Sequence, residues 1–122
     1  MEDRKLAALA ERIEAADALD AHLAREAAHA LDEIFAGRGL LEALRADGAA
    51  GTDAVLRLID LALPGWQVRL SGTAHGPGGR WTCTLREVGL RDDDESIGVG
   101  KGTHPAQALM AALLLSAARR GA

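Results

Sequence analysis

Between residues 66 and 99, apolar and polar side chains alternate with a period of two, the signature of strands with one buried face. Trp66, Val68 and Leu70 alternate with Gln67, Arg69 and Ser71. Trp81, Cys83 and Leu85 alternate with Arg80, Thr82, Thr84 and Arg86. Ile97 and Val99 alternate with Ser96 and Gly98, which assigns the two apolar residues to the buried face and the glycine to the wet one. The pattern predicts strands at Trp66–Leu70, Arg80–Arg86 and Ser96–Val99. The connections 72–79 and 88–95 are short, the first being Gly/Pro-rich, and short connections favour an antiparallel meander.

The period changes on either side. Downstream, Pro105–Ala118 reads as a helix, with Thr103 or His104 as its cap and Pro105 in the first turn, where proline sacrifices no helical hydrogen bond. Leu109, Met110, Leu113, Leu114 and the alanines are expected to pack it on the apolar sheet face. Arg119 and Arg120 suit the negative end of its dipole.

Upstream, Leu6, Leu9, Ile13, Ala16, Asp20, Leu23, Ala27, Ala30 and Ile34 recur at alternating spacings of three and four, a narrow helical stripe. Asp20 interrupts it, and two helices broken near Ala15–Asp17, with Asp17 capping the second, fit better than one. Gly37 and Gly39 end the run, as glycines do beyond a helix C-terminus. A short helix at Leu40–Ala46, a link at Asp47–Gly51 and a helix from a Thr52 or Asp53 cap to Leu63 follow, before Pro64-Gly65 launches the first strand. The expected class is α+β: helix, three-stranded antiparallel sheet and C-terminal helix (α-β-β-β-α) over residues 52–122, with additional N-terminal helices over residues 1–51.

Composition narrows the function. The 122 residues contain no tyrosine, and Trp66, Trp81 and Phe35 are the aromatics, which disfavours nucleobase stacking. Net charge is −4 but unevenly placed: residues 1–63 carry −6 and residues 64–122 carry +2. An acidic total argues against general nucleic-acid affinity and suits a basic protein partner. A single cysteine gives no internal disulfide and no cysteine-based zinc site. The start shows no apolar signal segment and 106–118 is too short to span a bilayer, so the expectation is a cytoplasmic protein without membrane contact.

Candidate chemistry is sparse. Gly98-x-Gly100-x-Gly102 before a helix offers a phosphate cradle, set against a strand end that needs flexible backbone. His22 and His29 lie seven residues apart, too far to chelate one ion; His75 sits in a turn and His104 at a cap. Cys83 points to the apolar face, where a thiol behaves as a small hydrophobe. No catalytic, metal or cofactor site is expected. The acidic run Asp92, Asp93, Asp94 and Glu95 is the candidate partner-binding site, for a basic surface. The alternative is a basic surface of Arg69, Arg80, Arg86 and Lys101 on the polar sheet face, unless the acidic N-terminal helices cover that face in a three-layer α/β/α arrangement. The Leu6–Ile34 stripe is a candidate homodimer contact, set against packing on its own domain.

Pro64, Gly65, Trp66, Trp81, Thr103, Pro105, Ala106, Ala108, Leu109, Ala112 and Leu113, in this order of elements, resemble the phage α/β/α ("ABA") sandwich domain, a family of small phage and prophage accessory proteins. The opening Leu9–Ala16 with Leu19-Asp20 is similar to the start of such proteins, whereas residues 36–52 fall outside the likeness. The resemblance implies no activity and no catalytic residues. It implies a non-enzymatic accessory protein acting by protein–protein binding, with an anti-CRISPR-like inhibitor of a host defence complex as a specific form. A weaker likeness, in element order and the Gly-x-Gly before the last helix, is to the double-stranded-RNA-binding domain. It implies a nucleic-acid-binding module, although that domain's lysine cluster is reduced here to Lys101.

Overall fold

Eight elements follow in order: α1 (Arg4–Ala15), α2 (Ala21–Ile34), α3 (Leu40–Asp47), α4 (Thr52–Ala62), β1 (Gln67–Thr73), β2 (Arg80–Arg86), β3 (Ile97–Gly102) and α5 (Pro105–Arg120). They come from a computed structural model that describes residues 3–47, 51–73, 79–87 and 97–120. The fold is α+β, with five helices and one antiparallel sheet ordered β1-β2-β3.

The N-terminal run is two helices, because each start is capped and the backbone between them is extended. Asp3 accepts hydrogen bonds from the amides of Lys5 and Leu6, and Ala16 leaves helical geometry at ψ 158°. Asp20 caps α2 by accepting from Leu23 N at 2.8 Å. The cap is therefore Asp20 and not Asp17, since only Asp20 stands three residues before an amide its carboxylate reaches. Asp32 performs the same service across a turn, accepting from the amides of Leu40 and Leu41 that open α3. Gly37 and Gly39 make that turn with φ of +84° and +68°, where a side chain would be strained. Arg38 donates to the carbonyls of Leu61 and Ala62 and so closes the C-terminal end of α4. The N-cap of α4 is Gly51, one residue before the expected Thr52 or Asp53, and no side chain caps it.

α5 holds the molecule together. Every residue from Ala106 to Leu114 is buried, as are Ser116, Ala117 and Ala118. A helix apolar on all sides belongs in the middle of a protein. It packs against β2 and β3 on one side and against α1, α2 and α4 on the other. α1 lies antiparallel beside it, fixed at both ends. Asp3 N donates to the Ala118 carbonyl at 2.9 Å, and the Gln107 amide donates to the carbonyls of Ile13 and Ala16. The layers therefore run sheet, α5, helical layer. Of the two arrangements left open by the sequence, a polar sheet face that is wet or one covered by the acidic N-terminal helices, the described helices take the first. The apolar stripes of α1 and α2 are spent on α5, so the N-terminal helices cover no strand except at the β3 edge, where α1 packs.

β1 and β2 pair one to one from Gln67↔Arg86 to Thr73↔Arg80, and their inner residues are those read from the alternation. β3 is the other way up. It pairs Leu85 with Gly98, Cys83 with Gly100 and Trp81 with Gly102, so the glycines face α5 while Ile97, Val99 and Lys101 face outward. Distance is the reason. A Cβ at Gly100 would fall on the Ala112 nitrogen and Ala108 carbonyl; one at Gly98 would come 2.7 Å from the Ala112 carbonyl; one at Gly102 would come 2.5 Å from the Gln107 Cβ. The small side chains Ala108, Ala112 and Ser116 recur every fourth residue along α5 and let it approach the glycine strand this closely.

Candidate functional site

The outer face of the sheet is built by register. Successive rows across it are Gln67, Arg86, Ile97; Arg69, Thr84, Val99; Ser71, Thr82, Lys101; and Thr73, Arg80. With strands about 4.8 Å apart and alternate residues about 7 Å apart along each, all four cations fall on one surface of about four rows. Arg69, Arg80, Arg86 and Lys101 are exposed; Thr82 and Thr84 between them are half-buried by their neighbours. Among the described residues, no carboxylate and no aromatic ring occupies an outward position of this sheet. None of the described helices covers this surface, since α5, α2 and α4 all lie beyond the opposite face. The structure thus brings together the four basic residues read as a group from the sequence. Lys101 joins them because β3 extends to Gly102 and turns its glycines inward.

Within the glycine pattern, the Lys101 amide is taken by a carboxylate of the chain itself: Glu14 of α1 accepts from it at 2.8 Å. Gln107 accepts from His104 N at 3.0 Å and from the Thr103 hydroxyl at 3.0 Å, which makes His104 the cap residue and Gln107 its third-position partner. The Thr103 hydroxyl also lies 3.0 Å from the Asp17 carbonyl. The Gly98-x-Gly100-x-Gly102 pattern serves close packing on α5, so what it supplies is space and not the flexible backbone expected of a strand end. The sequence signal for Gln107 was available: a glutamine two residues after a proline at the first helical position.

His22 and His29 are exposed on α2, and with Lys5, Arg12 and Arg25 they rim an open groove of about 750 Å³ between α1 and α2, floored by Leu9 and Ala30. Arg12 spans the groove to Glu26 with two hydrogen bonds, of 2.7 and 3.2 Å. These bonds, and then the charge attraction, hold the Glu26 carboxyl below its usual range and the Arg12 guanidinium above its own. Among the described residues, no group of three His, Cys, Asp or Glu side chains could hold a metal ion. His75 and the run Asp92–Glu95 lie outside the described residues.

Cys83 is fully buried beneath α5, and loss of hydration pushes its thiol up to about 12. We expect no reaction with an aromatic disulfide reagent in the native state and stoichiometric reaction in urea, read by absorbance. Folding stability should also fall as pH rises from about 9 toward 12, because only the unfolded chain releases the proton there.

No helix of the described residues is long and apolar enough to cross a membrane. Compared with protein-family models, curated proteins and solved structures, the chain matches none.

Proposed function

We propose that this chain is a non-enzymatic binding protein whose outer sheet face docks an acidic surface of a protein partner. One observation carries the reading: four exposed cations share an uncovered sheet face that bears no carboxylate among the described residues, in a chain of net charge −4. Concentrating positive charge against the overall sign sets a direction of approach, since complementary potential steers encounter and selects partners. Hydroxyls from Ser71, Thr73, Thr82 and Thr84 between the cations add donors suited to carboxylates. The absence of rings on this face among the described residues removes base stacking, so a polypeptide is favoured over single-stranded nucleic acid. The single lysine before α5, Lys101, speaks against the double-stranded-RNA-binding reading, whose phosphate contacts come from a lysine cluster there.

The test is capture from nuclease-treated host lysate by the wild-type chain and by a triple variant, Arg69→Glu, Arg80→Glu and Lys101→Glu. Recovery of the wild-type partner should fall at least about tenfold in the variant, the equivalent of about 1.4 kcal/mol, and should weaken with salt. The variant's far-UV circular dichroism should match wild type, because all three side chains are exposed. A partner held equally by the variant, or recovered only when nucleic acid is left intact, would overturn the reading.

A further inference from the structure

The two edges of the sheet are treated differently. At β3, Glu14 accepts from the Lys101 amide, Arg119 donates to the Ile97 carbonyl, and α1 packs alongside. An edge occupied in this way is no template for another strand. β1 has none of these devices. Its seven residues contain no proline and pair with β2 without a bulge. Six of the seven are exposed, and only Leu70 is half-buried. Among the described residues, no other element hydrogen-bonds to its free side. On the inner face α5 lies over β2 and β3 and barely reaches β1, which leaves Val68 36% exposed.

We propose that β1 pairs antiparallel with β1 of a second copy of this chain about a two-fold axis at Leu70, joining two sheets into one of six strands. The side chains favour this self-pairing. Centred on Leu70, the register uses all seven residues of each strand: Leu70 meets Leu70, Val68 meets Gly72, Arg69 meets Ser71 and Gln67 meets Thr73 of the second copy. Each Arg69 then stands opposite a serine, whereas a two-fold centred one residue earlier would set arginine directly against arginine. The inner face matches as well. The Trp81 ring lies over Gly72, where a Cβ would come 2.7 Å from two ring carbons. Val68 of the second copy, placed opposite Gly72, would fill the space beside that half-buried ring. Every contact except the Leu70 pair on the axis is made twice, as a two-fold interface requires. The pairing also sets the two cationic outer faces edge to edge, though it does not depend on what they bind.

The test is sedimentation velocity on the full chain across micromolar to millimolar concentration. The expected result is a reversible dimer of twice 12.7 kDa. Val68→Lys, which puts a charge where the apolar contact forms, should leave a monomer. Ser71→Asp faces Arg69 of the second copy and should tighten the dimer, while Ser71→Arg should loosen it. Each change should lie between about twofold and thirtyfold, from two symmetry-related cross-strand charge pairs. Ser71 is exposed, so its variants report on pairing even if Val68→Lys perturbs folding. A monomer at every concentration overturns the proposal and leaves the edge to a strand of another protein. So does an oligomer whose dissociation constant is the same in all three variants.

Discussion

Replacing Gly100 by valine should lower the unfolding free energy by about 3 kcal/mol or more, a large share of the roughly 5–15 kcal/mol by which a domain is stable. The atoms a side chain would strike at Gly100 are backbone, the Ala112 nitrogen and Ala108 carbonyl, together with the Ala111 carbonyl carbon at 2.9 Å. Backbone inside a fully buried helix cannot swing aside as a side-chain tip can, so relief would require α5 to lift off the strand. Lifting it would open the contact with β2 and β3 and disturb α1, α2 and α4 behind it. The control is Val99→Ala, one residue away on the same strand and 41% exposed, expected to change stability by about 0.5 kcal/mol or less. Urea denaturation distinguishes them: the midpoint should move far for Gly100→Val and hardly at all for Val99→Ala, with the slope unchanged. Equal shifts in the two variants would contradict the inverted face of β3.

Gln107→Leu should cost about 2–4 kcal/mol despite conserving volume and adding apolar character. Gln107 is completely buried, and its amide is fully used. Nε2 donates at 3.0 Å to the Ile13 carbonyl, which also accepts from the Ala16 amide at 3.3 Å, and at 2.6 Å to the carbonyl of Ala16, the residue that caps α1. Oε1 accepts from the His104 amide and the Thr103 hydroxyl. This single side chain thus closes the C-terminus of α1 and the N-terminus of α5 together. Leucine keeps the shape and leaves the Ala16 carbonyl and His104 amide desolvated without their partner. Thr103→Ala, which removes one exposed contributor to the same network, should cost well under half as much. Thermal and urea unfolding of both variants would check the ranking, and parity between them would show that water replaces the amide.

Most of the fold was legible because its signals are local. Glycine and proline marked the turns, capping residues marked the helix starts, and strict alternation oriented β1 and β2. β3 was misread because hydrophobicity was allowed to decide which face is buried. Ile97 and Val99 are more apolar than Gly98 and Gly100, yet α5 passes so close that volume outranks hydropathy. The clue was relational: glycines at every second position of a strand, followed by Ala108, Ala112 and Ser116 at every fourth position of the next helix. The central place of α5 was also written in the chain, since Pro105–Ala118 contains no charged residue and so has no side to turn toward water. The layer order stays open in the sequence, because local patterns show that α5 is apolar but not which helices pack on its far side. The cationic residues of the candidate site were legible as a strand face. Whether that face was open depended on where distant helices pack, which no local pattern records.

The position of α5 bears on how the chain is made. It is the last of the described elements in chain order, yet it is the surface on which the sheet and three earlier helices meet. On a ribosome, α1, α2, α4 and the strands emerge first, before the helix that their apolar sides share. Domains generally fold as units, and exposed apolar surface makes incomplete chains prone to aggregate. Translation of α5 is therefore the step that converts a set of sticky fragments into a protein. A nascent chain stalled before Pro105 is a client for chaperones, not a partial version of the fold.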